Sequence, residues 1–500
     1  MSYINPITAC DFYKVGHKDM YPKGTTMIYS NFTPRSNRLA PSAGAKKPDQ
    51  VVMFGLQGFI KSFLMEAFHC GFFSQPKAAV VGQYMRRVDM ALGEGVVGTD
   101  HIAALHDLGY LPIEIKALPE GSLVDIKVPV LTIKNTLPEF FWLTNYLETA
   151  LSTELWKPIT TATTAVEYRK LLTQYAKETG APLDFVLWQG HDFSYRGLSG
   201  LNDAASASGH LMSFLGTDTI PAIDYLEAFY GGLNTYIGGS VPATEHSVMC
   251  AGGKESEIET FRRLITEVCP SGVVSIVSDT WDFWHVITDM AKELKPEIMA
   301  RTPNAIGLNK VVFRPDSGDP VEILCGTEID ATKATTPAQK GAVQCLWDTF
   351  GGTVNAEGYK MLDEHVGLIY GDSITLERAD QILKRLKDKG FASSNVVFGI
   401  GSYTYQYVTR DSFGFAMKAT YAEVNGEGSE LYKDPITDSG TKKSAKGLLR
   451  VEFEDGKFVL YDQQTKEQEA QGCLQTVFKD GKLVKETSVE EIRNRINSVL

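Results

Sequence analysis

The chain of 500 residues lacks the features of a membrane or secreted protein. Its most apolar stretch, Val51 to Phe73, is interrupted by Gln57, Lys61, Glu66 and His69, so it predicts an amphipathic helix and not a membrane span. Met1 to Tyr13 has neither a basic start nor a long apolar core, and we expect no signal peptide there. The 7 cysteines are scattered, odd in number and without a CxxC pair, which is typical of reduced thiols. We therefore expect a cytoplasmic protein.

Several functional classes are excluded by what is missing. The 9 histidines show no HExxH or HxxxH spacing, which argues against a protein-bound transition metal. Walker A, GxSxG and protein-kinase motifs are absent. The net charge of −12 leaves no general basic field, so we expect no nucleic-acid partner and no membrane-surface partner. A local group of Arg and Lys side chains would still suffice to bind a small anionic substrate.

The most informative segment present is VVFRPDSGDP, from Val311 to Pro320. An apolar run stops at Arg314, and a tight turn with Asp316, Gly318 and Asp319 follows. This combination suits a phosphorylated sugar, because Arg binds phosphate, Asp accepts from ribose hydroxyls and Gly allows close backbone approach. A solvated turn with a local Arg–Asp pair is the alternative.

The same construction recurs between about residues 183 and 402. Short apolar runs end in polar tips, and helical patterns separate them. The strands that this pattern predicts are Phe185 to Trp188, Val273 to Val277, Val311 to Phe313, Val366 to Tyr370 and Val396 to Phe398. Alternation of strand and helix indicates a parallel sheet. We predict a (β/α) barrel, since only a closed ring directs so many carboxyl-end tips into one pocket; an open doubly wound sheet is the alternative.

The two ends of the chain differ from the middle. Residues 1–180 mix strand-like runs with helices around 139–155 and 160–178, and residues 403–500 are rich in strands. The fold class predicted is therefore α/β, with a barrel over residues 181–402 and a second sheet-containing domain built from residues 1–180 and 403–500.

Individual tips allow more than one interpretation. His246, next to Glu245, is a candidate nucleophile or base that Asp279 would orient, or else a capping or core histidine. Asp218 either caps the following helix or accepts from a ligand amide, and as a carboxylate it would repel an acid ligand. Phe193 and Tyr13 either stack on a flat ring or belong to the core.

Two further features concern phosphate. Gly371-Asp372 and Gly399-Ile400-Gly401 either offer backbone N–H groups to phosphate or are plain turns. The stretch KDPITDSGTKKSAK, which begins at Lys433, is either a solvated loop or a clamp for diphosphate.

Taken in order along the chain, these segments resemble the nicotinamide phosphoribosyltransferases. The resemblance rests on DFYKVGH, LPIEIKALPEG, WLTNYLET, HDFSYRG, GTDT, SVPATEHS, IVSDTWD, FRPDSGDP, YGD, TRD and KDP. It implies a homodimer with shared active sites and an irregular α/β barrel. It also implies the reaction: transfer of phosphoribosyl from 5-phosphoribosyl 1-diphosphate to nicotinamide, with ATP as co-substrate and Mg²⁺ carried by the substrate.

The resemblance also implies roles for individual residues. The pyridine ring would lie between Phe193 and Tyr13 of the other subunit, with its carboxamide near Asp218, Ser240 and Ser275. ATP would phosphorylate His246, oriented by Glu245 and Asp279. Phosphate and ribose would be held by Arg314, Asp316, Gly371, Asp372, Gly401 and Ser402. Diphosphate would be surrounded by Arg196, Arg35, Arg410, Lys418 and Lys433, the last four from across the dimer interface.

Some positions depart from the family pattern. Ala416 stands where the family suggests Ser, Ser402 where it suggests Gly, and Thr244 where it suggests a small apolar residue. Three alternative functions remain at this stage: a nicotinate phosphoribosyltransferase, which the Asp218 carboxylate disfavours, a non-catalytic nucleotide-binding or signalling protein, and a sugar-cleaving barrel hydrolase.

Overall fold

The structure is a computed structural model that describes residues 5–231, 235–330, 332–432 and 445–500. The strands are β1 Thr25–Thr33, β2 Gln50–Val52, β3 Ile113–Ala117, β4 Leu123–Asp125, β5 Leu131–Asn135, β6 Gly190–Asp192, β7 Gly216–Thr217, β8 Val274–Val277, β9 Val311–Arg314, β10 Gly352–Val354, β11 Lys360–Leu362, β12 Val366–Tyr370, β13 Val396–Ile400, β14 Ala416–Val424, β15 Glu427–Glu430, β16 Leu448–Glu454, β17 Lys457–Gln464, β18 Gln475–Lys479 and β19 Lys482–Leu483.

The α-helices are α1 Phe12–Val15, α2 His17–Met20, α3 Leu56–Phe59, α4 Lys77–Leu92, α5 Asp100–Leu108, α6 Trp142–Thr179, α7 Val186–Gln189, α8 Ala204–Ser208, α9 Ile220–Tyr230, α10 His246–Cys250, α11 Glu257–Arg263, α12 Phe283–His285, α13 Ala291–Glu293, α14 Lys295–Met299, α15 Pro320–Cys325, α16 Pro337–Lys340, α17 Ala342–Phe350, α18 Leu376–Asp388, α19 Ser402–Tyr405, α20 Lys466–Glu469 and α21 Val489–Asn497. Wider helical turns cover Ile60–Ala67, His69–Phe73, Leu264–Val268 and Val286–Met290. Tighter ones cover Pro6–Thr8, Pro138–Phe140, Leu183–Phe185, Tyr195–Gly197, Leu201–Asp203, His210–Met212, Lys254–Ser256, Ser393–Asn395 and Arg410–Ser412. Among the helices of these described ranges, none has the length and hydrophobicity needed to span a bilayer.

A curled parallel sheet forms the centre of the barrel. Its six strands lie in the order β7-β6-β13-β12-β9-β8. The segment 239–244 lies against both edges of this sheet: Gly239 bridges to Gly216 on β7, and Ala243 bridges to Ser275 on β8. The two edges are thereby joined through an irregular seventh segment, which confirms the predicted irregular barrel. Because all six strands are parallel, their carboxyl ends open on the same face.

Alternation along the strands separates core from barrel interior. Val311 and Phe313 on β9 belong to the hydrophobic core shared with the surrounding helices, whereas Val312 between them does not. On β8, Val274 and Ile276 lie in that core, and the buried Ser275 faces the opposite side. The barrel interior is therefore the place where polar side chains such as Ser275 and His191 are collected.

The second sheet combines both ends of the chain, as predicted. Its seven strands lie in the order β15-β14-β1-β5-β3-β18-β19. β1 pairs antiparallel with β14, and β3 pairs antiparallel with β18, so N-terminal strands lie between C-terminal ones. The limits 180/181 and 402/403 between the domains stay predictions.

One long helix replaces two predicted ones. The sequence predicts a break between helices around 139–155 and 160–178, but α6 is continuous over 38 residues with Pro158 inside it. An internal proline costs about 3 kcal/mol in a helix. Burial of α6 side chains in both cores, for example Leu151 in one and Leu172 in the other, outweighs that cost.

The first predicted barrel strand is also wrong. Phe185 to Trp188 is helical, and the strand lies two residues later at Gly190–Asp192. The helical pattern that follows this strand, from Leu201 to Phe214, is divided into three short helical pieces. The prediction assumed that the apolar run is fully buried, but Trp188 at its end is substantially exposed. The observed strand contains no aliphatic residue, so it lacks the pattern by which strands were predicted.

Two buried histidines make stability depend on pH. Burial lowers the pKa of His101 and of His210 from 6.5 to about 4. The folded protein keeps both imidazoles neutral, and the unfolded chain protonates them below about pH 6.5, so protons favour unfolding. Stability is complete above pH 6.5 and is lost as the pH falls towards 4, by about 2 kcal/mol per histidine at pH 5.

We expect the urea concentration at the unfolding midpoint of the wild type to decrease when the pH is lowered from 7.5 to 5. The decrease should be smaller in the His101→Phe variant. Fluorescence reports this directly, since the His101 ring packs edge-on 4.7 Å from that of Trp142. Equal pH dependence in the two proteins would show that His101 contributes nothing to it.

Candidate active site

One buried carboxylate holds together the loops that follow β6 and β7 at the carboxyl end of the barrel. Asp192, at the end of β6, is completely buried. Its Oδ2 accepts from the hydroxyls of Thr217 (3.1 Å) and Thr219 (2.6 Å), and its Oδ1 accepts from the backbone N–H of Ser194 (2.9 Å). The tips after β6 and β7 are thus held side by side, which brings Phe193 and Asp218 to the same opening.

Asp218 is the acceptor at this opening. Its Oδ1 contacts Nε2 of His191 at 2.9 Å and accepts from the hydroxyl of Ser240 at 2.5 Å. Burial acts to raise the pKa of Asp218, but the hydrogen bonds and charge of His191, with Ser240 and Arg314, outweigh burial and lower the pKa below its usual value. Asp218 is therefore a carboxylate at neutral pH, and part of its side chain is open to a ligand.

Phe193 forms one wall of the same opening. Its backbone N–H donates to the carbonyl of Ile400 on β13 (2.9 Å), and the guanidinium carbon of Arg314 lies 5.9 Å from the ring centroid. The ring covers Gly399 so closely that a Cβ there would come within 2.4 Å of it. Glycine at 399 is thus required by the position of the aromatic ring.

We therefore expect Gly399→Ala to displace the Phe193 ring and to raise KM for the predicted flat-ring substrate about 10-fold, equivalent to loss of a stacking contact of about 1.4 kcal/mol. Steady-state kinetics check this. Gly82→Ala is the matched control, since a Cβ at Gly82 on α4 meets nothing within 4 Å. An unchanged KM in Gly399→Ala would contradict the assigned position of Phe193.

Arg314, at the end of β9, supplies a positive charge beside these groups. It donates from a terminal nitrogen to the carbonyl of Thr244 at 3.0 Å, while its buried Nε has no hydrogen-bond partner among the described residues. Burial lowers the pKa of Arg314, and Asp316, Asp218 and Asp279 oppose that effect. A guanidinium has so high an intrinsic pKa that it remains charged here.

His246 and Asp279 come together as predicted from separate tips. Asp279 Oδ2 accepts from the backbone N–H of Asp316 (2.8 Å) and from the hydroxyl of Ser317 (2.6 Å). Its Oδ1 lies 3.4 Å from Nε2 of His246, whose side chain is 48% exposed. The carboxylate of Glu245 instead accepts from the hydroxyl of Ser247. The structure thus places Asp279, and not Glu245, against the imidazole.

The predicted phosphate end surrounds the same opening. A Cβ at Gly371 would lie 3.3 Å from the Phe193 ring and 3.6 Å from Oδ1 of Asp316, so the β12 tip adjoins both. Asp372 follows and is exposed. Ser402 begins α19, directly after Gly401, and packs against Gly197, next to the exposed Arg196. Arg196 is also close enough to Arg314 to lower its pKa.

The remaining predicted residues lie on the second sheet and its flanks. Tyr13, on α1, is 63% exposed and packs against His17. Arg35 donates to the carbonyl of Gly414 (3.0 Å), in the loop that follows Arg410. Lys418 is exposed on β14 opposite Asn31. Lys433 lies outside the described residues. Ser275, in contrast, lies inside the barrel beside the segment 239–244.

Three contributors to the site were missed by sequence reasoning. His191 binds Asp218, Asp192 fastens the tips, and the carbonyl of Thr244 anchors Arg314. The His-Asp pair at the start of HDFSYRG was a usable signal, since two polar side chains there precede Phe193. A backbone carbonyl leaves no trace in the sequence.

Family models match most of this architecture. The model described as the nicotinate phosphoribosyltransferase family covers residues 188–482, and the one for the N-terminal domain of nicotinamide phosphoribosyltransferase covers residues 5–69. A protein named nicotinamide phosphoribosyltransferase from Acinetobacter baylyi is 63% identical over 494 residues, which are 99% of this chain and 97% of that protein. The chain belongs to the nicotinamide phosphoribosyltransferase family.

Other comparisons agree with that assignment. A nicotinamide phosphoribosyltransferase from Mycoplasma pneumoniae is 37% identical over 89% of this chain and 95% of its own. Two solved structures share the fold. The first, nicotinate-nucleotide pyrophosphorylase from Pyrococcus furiosus, has a TM-score of 0.57 and 14% identity, and the match covers 99% of this chain and 95% of that one. Human nicotinic acid phosphoribosyltransferase has a TM-score of 0.54, 16% identity and coverage of 98% and 93%. This nicotinamide phosphoribosyltransferase family member is therefore an enzyme of NAD salvage with the predicted fold.

Proposed function

We propose that the chain transfers the phosphoribosyl group of 5-phosphoribosyl 1-diphosphate to nicotinamide, with nicotinamide mononucleotide and diphosphate as products. The single observation that carries the choice of pyridine is the ionised Asp218 at the barrel opening, which contacts His191 next to the half-buried ring of Phe193. A carboxylate accepts hydrogen bonds from the NH₂ of a carboxamide and repels the carboxylate of nicotinate.

The chemistry assigns a positioning role to the protein. The pyridine nitrogen is already nucleophilic, so the difficult step is departure of diphosphate from the anomeric carbon, through a cationic sugar. Phe193 and Asp218 would orient the ring towards that carbon, and Arg314 with Asp316 would hold the phosphoribose. The charge of the leaving diphosphate would be met by Arg196, with Arg35, Arg410, Lys418 and Lys433 from a second subunit.

Magnesium fits this site as a substrate-borne ion. Within the described residues, no group of three or more His, Cys, Asp or Glu side chains is arranged to hold a metal. Bound to the oxygens of 5-phosphoribosyl 1-diphosphate, Mg²⁺ would neutralise part of the leaving group's charge. Asp316 and Asp372, at neighbouring tips, would be the carboxylates that face such an ion.

ATP is proposed to act through His246. An imidazole nitrogen would attack the γ-phosphorus, the bond to the ADP oxygen would break, and ADP would leave; water would later release phosphate from the phosphohistidine. Support comes from the half-exposed ring, which lies beside the buried Asp279 carboxylate at the barrel opening.

A homodimer would complete the site. Tyr13 is a large exposed aromatic residue on the second domain of its own protomer. In the proposal, Tyr13 of the second subunit covers the face of the pyridine opposite to Phe193.

Release of diphosphate tests the reaction. We expect release only when 5-phosphoribosyl 1-diphosphate and nicotinamide are both present, in amounts equal to nicotinamide mononucleotide formed. Release of diphosphate in the absence of any pyridine would point to a hydrolase. Binding of the substrates without release of diphosphate would point to a non-catalytic binder.

A further inference from the structure

His191 is held in one orientation at the base of the pyridine opening. Its ring packs edge-on against Phe193, with centroids 5.1 Å apart. On the other side the ring abuts Gly216, where a Cβ would lie 2.7 Å from Nδ1. The residue is almost entirely buried. These contacts leave Nε2 directed at Asp218 Oδ1, 2.9 Å away.

The hydrogen bonds to Asp218 are asymmetric. Oδ1 receives both described side-chain contacts, from His191 and Ser240, and Oδ2 receives none from the described residues. An ionised carboxylate can only accept, so the tautomer that satisfies this contact carries its proton on Nε2. With Oδ1 occupied by two donors, Oδ2 is the oxygen left to accept from a ligand.

We propose that His191 is the positioning residue for pyridine selectivity: by donating to Oδ1 it fixes Asp218 with Oδ2 towards the carboxamide. The inference rests on the proposed function, since it requires nicotinamide at this opening. Without His191, Ser240 alone would hold the carboxylate, and Ser240 is itself an exposed side chain that can follow it. The carboxylate would then sample orientations in which no oxygen faces the carboxamide NH₂.

The test compares two variants at the same position. In His191→Leu we expect KM for nicotinamide to rise at least about 10-fold, with kcat within about 3-fold of the wild type, because the lost interaction acts in binding. His191→Gln, whose side-chain amide can donate in place of Nε2, should bring KM back to within about 3-fold. His365→Leu is the matched control, since it removes the partner of another histidine–carboxylate contact (Nδ1 to Asp363, 2.7 Å) just before β12, at the opposite end of the barrel.

Four results decide between the possibilities. An unchanged KM in His191→Leu overturns the proposal, and equal impairment of His191→Leu and His191→Gln overturns it as well, because a donor role requires rescue. Asp218→Asn separates this failure from failure of the proposed function. If Asp218→Asn loses its preference for nicotinamide while His191→Leu keeps it, only the role of His191 is lost. If Asp218→Asn keeps the preference, the assignment of Asp218 fails and the proposal fails with it.

Discussion

His246→Ala is expected to form nicotinamide mononucleotide at the same rate with ATP as without it. The imidazole is the group proposed to carry the phosphoryl group, and alanine offers no nucleophile in its place. ATP hydrolysis should fall by at least about 10²-fold, while the ATP-independent kcat/KM changes by no more than about 3-fold. Product formation and ADP release, measured in the same reaction, give both quantities.

His285→Ala is the matched control for that experiment. His285 is 49% exposed, close to the 48% of His246, and its Nδ1 lies 3.0 Å from a carboxylate oxygen of Asp289. It lies on α12, outside the predicted site. ATP stimulation should be retained in His285→Ala. Retention of full stimulation in His246→Ala would remove His246 from the coupling.

Arg314→Ala is expected to lower kcat/KM for 5-phosphoribosyl 1-diphosphate by about 10³-fold. A buried charge-assisted contact to phosphate contributes about 3 to 5 kcal/mol when one partner is removed, and Arg314 also faces Phe193 and the Asp218 carboxylate. Arg314→Lys should recover little of the loss, since an ammonium cannot reproduce a planar fork of donors. Initial rates at varied donor concentration measure the effect.

Arg262→Ala controls for removal of a partly buried arginine. Arg262 on α11 donates to Glu293 at 3.1 Å and also pairs with Glu259 and Glu297, none of them a predicted site residue, and its loss should leave kcat/KM unchanged within about 2-fold. A kcat/KM in Arg314→Ala within about 10-fold of the wild type would contradict a phosphate role for Arg314.

The sequence predicted those strands whose burial depends on aliphatic side chains. Val366 to Tyr370 matches β12 completely, and Val311 to Phe313 lies within β9, because both runs are buried among the surrounding helices. The polar tips could then be placed from the chain order alone. β6 could not, since Gly190, His191 and Asp192 form a strand only through pairing with β13 and β7.

Contacts between distant tips were beyond the sequence for a different reason. His191 and Asp218 are separated by 27 positions, and their contact depends on the two-residue strand β7 and on the hydrogen bonds of Asp192. The pairing of His246 with Asp279 was predicted, since both end up at the carboxyl face of any parallel barrel. An orienting role was also suggested for Glu245, but its carboxylate accepts a hydrogen bond from Ser247 instead. The sequence does not show this local contact.

The long helix shows how packing overrides local propensity. Two separate helices were predicted around 139–155 and 160–178, yet α6 is continuous through Pro158, runs from the second domain into the barrel and buries residues in both. A proline effect of about 3 kcal/mol is local, whereas burial accumulates over the whole helix. The proline effect can be read from the local sequence, whereas the burial summed over the helix depends on tertiary packing that the local sequence does not show.

The central claim is that an ionised Asp218 selects the amide, and the ratio of kcat/KM for nicotinamide to that for nicotinate tests it most directly. Measured on the purified protein with 5-phosphoribosyl 1-diphosphate and Mg²⁺, the ratio should exceed about 10² in favour of nicotinamide, as expected when one ligand pairs with a carboxylate and the other is repelled by it. A ratio near one, or a preference for nicotinate, would contradict the account.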